Sequence, residues 1–82
     1  MRLDKYLKVS RLIKRRTVAQ EAADGGRVSV NGVTAKPSRE VKPGDIIEMS
    51  FGAKKVRVEV LSVQETVRKD DAPSMYRELT GE

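Results

Sequence analysis

At Gly25-Gly26 the spacing of apolar residues changes from the period of a helix to the period of a strand. Upstream, Leu3 and Leu7 stand four apart with Tyr6 beside them, which puts all three on one side of a short helix over Leu3–Val9. Val18, Ala19, Ala22 and Ala23 form a thin stripe of small residues on a second helix, and small side chains let two helices approach closely. The two glycines end that helix, because a terminus often needs the left-handed conformation glycine tolerates. Downstream, Val28 and Val30 alternate with Arg27 and Ser29, and Asn31-Gly32 then separates them from Val33-Thr34-Ala35. Asn-Gly between alternating segments predicts a hairpin, since both turn positions take positive φ. Lys42-Pro43-Gly44-Asp45 reads as a tight turn, Ile46–Phe51 as a strand, Gly52-Ala53-Lys54 as a turn, and Lys55–Val63 as a longer strand. The predicted fold is α+β: two short N-terminal helices packed on a small, largely antiparallel sheet. Residues 1–63 make the domain. Residues 64–82 make a polar C-terminal tail with a short amphipathic helix over 74–79.

Charge is distributed as unevenly as periodicity. Residues 1–16 hold seven basic side chains and one acidic, a net of +6, while residues 17–82 hold ten basic and eleven acidic, a net of −1. The whole +5 excess therefore sits at the N-terminus. A basic segment on an otherwise balanced domain is the footprint of a polyanion binder. Lys14-Arg15-Arg16 stands directly before the second helix, where free N–H groups add to the attraction for phosphate. Thr17 with Gln20 has the spacing of a capping box, so the second helix is expected to start at Thr17. Arg2, Lys5, Lys8 and Arg11 widen the patch, although any single surface Lys or Arg can be a solvated charge. Asp4, the one acid among them, is expected to orient Arg2 or Arg11 through an ion pair and so to support the site. Lys54, Lys55 and Arg57 form a second cluster that reads as a charged strand edge. Tyr6 is assigned mainly to the core. Phe51 and Tyr76 are the only other aromatics, too few for a platform that stacks several unpaired bases. Recognition should rest on shape and phosphate.

The chain has no Cys and no His, which removes disulfides, thiolate or imidazole metal sites, and nucleophilic or acid–base chemistry that needs either residue. There is no Walker glycine loop and no paired spacing of carboxylates. The expectation is a binding protein that is not an enzyme and takes no metal or cofactor. No apolar run approaches the length of a membrane span, and the N-terminus lacks a secretory pattern, so a cytoplasmic protein is expected. Nothing in the residues suggests an obligate dimer, so a monomer is expected.

The pieces also come in a familiar order. Arg2-Leu3-Asp4-Lys5-x-Leu7, Arg11-Leu12, Arg16-x-x-Ala19, Gly26-x-Val28-x-Val30-Asn31-Gly32 and Val41-x-x-Gly44-Asp45 together resemble the S4-type RNA-binding domain over residues 2–51. The chain departs from that pattern at Arg15, where Ser or Thr is usual. The resemblance implies contact with structured RNA by Arg2, Lys5, Arg11, Lys14, Arg15, Arg16 and Thr17. The near-solitary domain, with Val9-Ser10-Arg11-Leu12-Ile13-Lys14-Arg15-Arg16-Thr17 and Met75-Tyr76 in the tail, is similar to the heat-shock-protein-fifteen family and its short Gram-positive RqcP group. That likeness implies a ribosome-associated quality-control factor. Its partners would be rRNA of large ribosomal subunits obstructed by peptidyl-tRNA, the tRNA itself, and an RqcH-type factor that adds alanine tails to stalled chains.

Other readings stay open on the residues alone. They are a general rRNA or tRNA chaperone or assembly factor, an adaptor acting through the tail and a sheet edge, and a binder of anionic membranes. The last is disfavoured because Leu3, Tyr6 and Leu7 are needed by the core.

Overall fold

The computed structural model describes residues 1–65 and 67–79. The α+β fold expected from periodicity is the one observed. Helix α1 spans Leu3–Val9 and helix α2 spans Arg16–Asp24. Strands β1 (Val28–Val30), β2 (Val33–Thr34), β3 (Ile46–Phe51) and β4 (Lys54–Val60) follow. A 3-10 helix at Lys69–Met75 and strand β5 at Tyr76–Glu78 complete the order.

Leu3, Tyr6 and Leu7 of α1 are fully buried, as their spacing requires. Burying each such side chain stabilises the fold by about 1.5–3 kcal/mol. The N-cap residue Arg2 gives the first two amides of α1 no side-chain cap. Leu3 N–H donates to Arg39 O at 2.8 Å and Asp4 N–H to Pro37 O at 3.1 Å, so the loop before β3 satisfies them. Ala19, Ala22 and Ala23 of α2 are buried, whereas Val18 is 42% exposed and does not join their stripe.

Helix α2 starts one residue earlier than the capping-box reading placed it. Arg15, in extended conformation, is the N-cap and makes no side-chain cap bond. The Gln20 side chain, whose oxygen the box would turn to the Thr17 amide, is oriented by Asp4 instead, to which its Nε2 donates at 3.0 Å. The helix ends as expected. Arg27 N–H reaches Ala22 O at 3.0 Å and Gly26 N–H reaches Ala23 O at 3.1 Å, the paired bonds of a Schellman stop with Gly26 at φ 78°.

Asn31 (φ 54°) and Gly32 (φ 82°) turn β1 into β2 with both residues left-handed. Every pairing in the sheet is antiparallel, in the order β2-β1-β3-β4-β5. The register sets Val28 opposite Met49, Val30 opposite Ile47, and Ile47 opposite Val58, so one face of three strands is apolar and buried beneath the helices. The other face alternates charge: Arg57 meets Glu48 at 3.9 Å and Arg77 meets Glu59 at 2.6 Å.

The helix expected over 74–79 is not formed. The chain turns through the 3-10 helix up to Met75, and Tyr76–Glu78 then pairs with β4, Tyr76 opposite Val60. β4 would otherwise present unpaired backbone groups at its edge, and residues 76–78 satisfy them. A six-residue apolar pattern is too short to outweigh that. β4 itself stops at Val60, short of the expected Val63.

Candidate nucleic-acid interface

The side chain of Asp4 is fully buried and accepts five hydrogen bonds. Its Oδ1 takes the Lys5 amide at 2.8 Å and Arg2 Nε at 3.2 Å. Its Oδ2 takes Gln20 Nε2 at 3.0 Å, Arg16 Nε at 3.3 Å and Arg2 Nη2 at 3.3 Å. Burial alone would raise the carboxyl. The bonds from Gln20, Arg16, the Lys5 amide and Arg2 outweigh it and hold Asp4 below its ordinary range. One carboxylate thus ties the N-cap of α1 to the first two turns of α2.

Asp4 was expected to pair with Arg2 or Arg11. The structure pairs it with Arg2 and Arg16, and Arg11 has no ion pair among the described residues. Arg2 and Arg16 are held from behind and remain 51% and 45% exposed. Arg16 is engaged through Nε alone, so its two terminal nitrogens make no bond to the carboxylate and can serve a second acceptor. Such a guanidinium is positioned without being neutralised by contact at its outer edge.

Lys8, Arg11 and Lys14 gather elsewhere, around a separate concavity beside the end of α1. Arg11 stands there at φ 65°, a left-handed position that L residues with a Cβ avoid. Its amide donates to Lys8 O at 3.1 Å, and Ile13 N–H reaches back to Leu7 O at 3.0 Å. Ile13 is buried, so the connector is pinned by its apolar residue while its cations face out.

Lys5 is drawn to Glu65 by a hydrogen-bonded ion pair across the start of the tail. That bond and the Lys5 charge hold the Glu65 carboxyl below its ordinary range. Arg15 and Thr17 are exposed and belong to neither grouping. Three participants escaped sequence reading: Gln20, Glu65 and Lys69, which shares the concavity with Lys8, Arg11 and Lys14. Only Gln20 carried a signal, since it stands one turn beyond Arg16 on the same helix face.

Among the described residues no cluster of carboxylates could hold a metal ion, and no helix is long and apolar enough to cross a membrane. A model of the S4 domain family matches residues 1–47, from the N-cap of α1 into β3. The chain belongs to the S4 domain family. Its S4 segment contains the whole Asp4 cluster, while Glu65, Lys69 and Met75 lie beyond it. The RQC P-site tRNA stabilizing factor of Bacillus subtilis is 56% identical over 82 residues, covering all of this chain and 95% of that protein. The factor of the same name from Streptococcus pneumoniae is 57% identical over 76 residues, covering 93% of this chain and 86% of the other. A trimeric structure of heat shock protein 15 from Vibrio cholerae superimposes with a TM-score of 0.88 at 34% identity, over 95% of this chain and 80% of that one. The likeness to these relatives therefore extends past the S4 segment into the tail.

Proposed function

We propose that the α1–α2 face of this S4 domain binds structured RNA on the ribosome as a quality-control factor. It engages large ribosomal subunits obstructed by peptidyl-tRNA, contacts rRNA and tRNA together, and supports alanine tailing by an RqcH-type factor. It holds RNA in place in the cytoplasm as a single chain and performs no chemistry of its own. The contacts come from Arg2, Lys5, Lys8, Arg11, Lys14, Arg15, Arg16 and Thr17, with Asp4 as their support.

The observation that carries the reading is the holding of Arg2 and Arg16 by buried Asp4 while both side chains stay about half exposed. A guanidinium fixed in this way loses little conformational freedom on meeting a phosphate, and Arg matches phosphate with two parallel bonds. The names of the Bacillus and Streptococcus relatives support the choice of a P-site tRNA setting.

The test is sedimentation of tagged protein from lysate through sucrose gradients at low and raised salt, with Arg2→Ala/Arg16→Ala beside the parent. The parent should travel with free large subunits that carry peptidyl-tRNA and leave them at raised salt. For about five phosphate contacts, log affinity should fall against log salt with a slope near −3.5 to −4.5. The double variant should stay at the top. Co-sedimentation of the variant at the parental level overturns the site, and enrichment of the parent on assembly precursors instead would replace the quality-control role with one in assembly.

A further inference from the structure

Lys8 of α1, Arg11 and Lys14 of the connector, and Lys69 of the 3-10 helix line a single concavity. No carboxylate is among the residues that line it, and none of the four cations has an ion pair among the described residues. Arg2, Lys5 and Arg16 are each paired with an acid. Four like charges around one hollow repel each other, and no ion pair among the described residues offsets that repulsion.

Lys69 does not reach this place by chance of a loose tail. Its helix is fastened by Ala72 and Met75, both buried, and by the Tyr6 hydroxyl, which donates to Met75 O at 2.7 Å. β5 continues directly from it into the sheet. The opposite wall is equally set: Arg11 is carried in a left-handed position that glycine would occupy more easily, between buried Ser10 and buried Ile13. Strain of this kind persists only where the surroundings over-determine it, and it gathers at sites that bind.

We propose that Lys69 completes a phosphate-binding pocket with Lys8, Arg11 and Lys14, which takes crowded backbone phosphates of a folded RNA. The inference rests on the RNA-binding reading and extends it from the S4 segment to the tail. Phosphate is the fitting chemistry: Lys acts as a compact point charge and Arg supplies a fork that can bridge two oxygens. One phosphodiester carries a single negative charge, which four cations exceed. The pocket therefore suits a place where an RNA fold brings neighbouring phosphates close together. Two consequences follow for the molecule. The tail belongs to the RNA face as well as to the sheet. The site is also incomplete in an S4 segment that ends at residue 47.

The experiment is a binding titration of the full-length protein against purified large ribosomal subunits carrying tRNA, across a salt series. Parent, Lys69→Ala, Lys69→Arg, Lys54→Ala and Arg16→Ala are compared. Lys54 stands on the β3–β4 hairpin and controls for loss of one positive charge. Lys69→Ala should bind more weakly, and its deficit should shrink roughly threefold between about 50 and 200 mM salt, the signature of one lost phosphate contact. Lys69→Arg should restore the parental slope, and Lys54→Ala should keep it. A parental slope in Lys69→Ala, or an equal loss in Lys54→Ala, overturns the pocket. If Arg16→Ala weakens binding while Lys69→Ala does not, the pocket fails and the RNA reading stands. If neither weakens it, both fail.

Discussion

The hydroxyl of Tyr6 donates to the carbonyl of Met75 at 2.7 Å, which joins the first helix to a residue 69 positions away. The same carbonyl accepts Leu61 N–H at 2.8 Å and Ser62 N–H at 3.2 Å, so the end of β4, the tail and α1 meet at one oxygen. Burial, with Tyr76 nearby, lifts the Tyr6 phenol well above its ordinary range, and the donor stays protonated at every physiological pH. Tyr6→Phe should cost about 0.5–1.5 kcal/mol and no more, because the carbonyl keeps two donors. Denaturant unfolding measures the loss. Hydrogen exchange should quicken at residues 69–78 more than in β1 or β3; uniform acceleration would mean that Tyr6 does not hold the tail in particular.

Asp4 should make the fold acid-sensitive. Its carboxyl is depressed in the folded state, so its stabilisation is complete above the ordinary aspartate value near 3.9 and fades as pH falls through the folded one. Asp4→Asn places an amide donor among the Gln20, Arg2 and Arg16 donors and should cost about 2 kcal/mol near neutrality. The variant should also lose less stability than the parent between about pH 5 and 2. RNA affinity should fall although no cation is removed, because Arg2 and Arg16 lose their anchor. Unfolding curves over that pH range check the first claim and a binding titration near neutrality the second. Parallel acid limbs for the two proteins would contradict the assignment.

Arg11→Gly should separate stability from binding. Removing the Cβ from a left-handed residue relieves roughly 1 kcal/mol of strain, partly offset by the greater freedom of glycine in the unfolded chain. The variant should unfold at equal or higher denaturant and bind RNA more weakly. Lower stability together with weaker binding would show that the Arg11 side chain holds the connector instead of serving a ligand.

Glu65 holds Lys5 in an ion pair, which the proposed contact of Lys5 with RNA would have to break. Glu65→Gln frees the ammonium and should raise RNA affinity at low salt. The salt slope should steepen by about 0.7–0.9, the value of one extra phosphate contact. The unfolding midpoint should match that of the parent, since an exposed pair contributes little to stability. Unchanged affinity and slope would place Lys5 outside the RNA face.

Much of the fold was legible because its signals are local. Leu3, Tyr6 and Leu7 set the bounds of α1 through a 3.6-residue period, Asn31-Gly32 and Pro43-Gly44 set turns through allowed φ, and Val28 and Val30 set the buried face of β1 through alternation. The start of α2 was misplaced because Thr17 and Gln20 match a local rule that a distant carboxylate overrides. The tail was misread as helical because the free edge of β4 is invisible to a six-residue pattern.

By itself, the sequence determined the element types up to β4, the turns, the apolar faces and the concentration of positive charge in residues 1–16, all properties of neighbours within about one helical turn or one strand pair. Only the tertiary structure decided that Asp4 would choose Arg16 and Gln20 over Arg11, that Lys5 would meet Glu65, and that Lys69 would stand beside Lys8. Those pairings join residues 12 to 61 positions apart, and which of many equivalent charges become neighbours depends on the path and register of the chain between them.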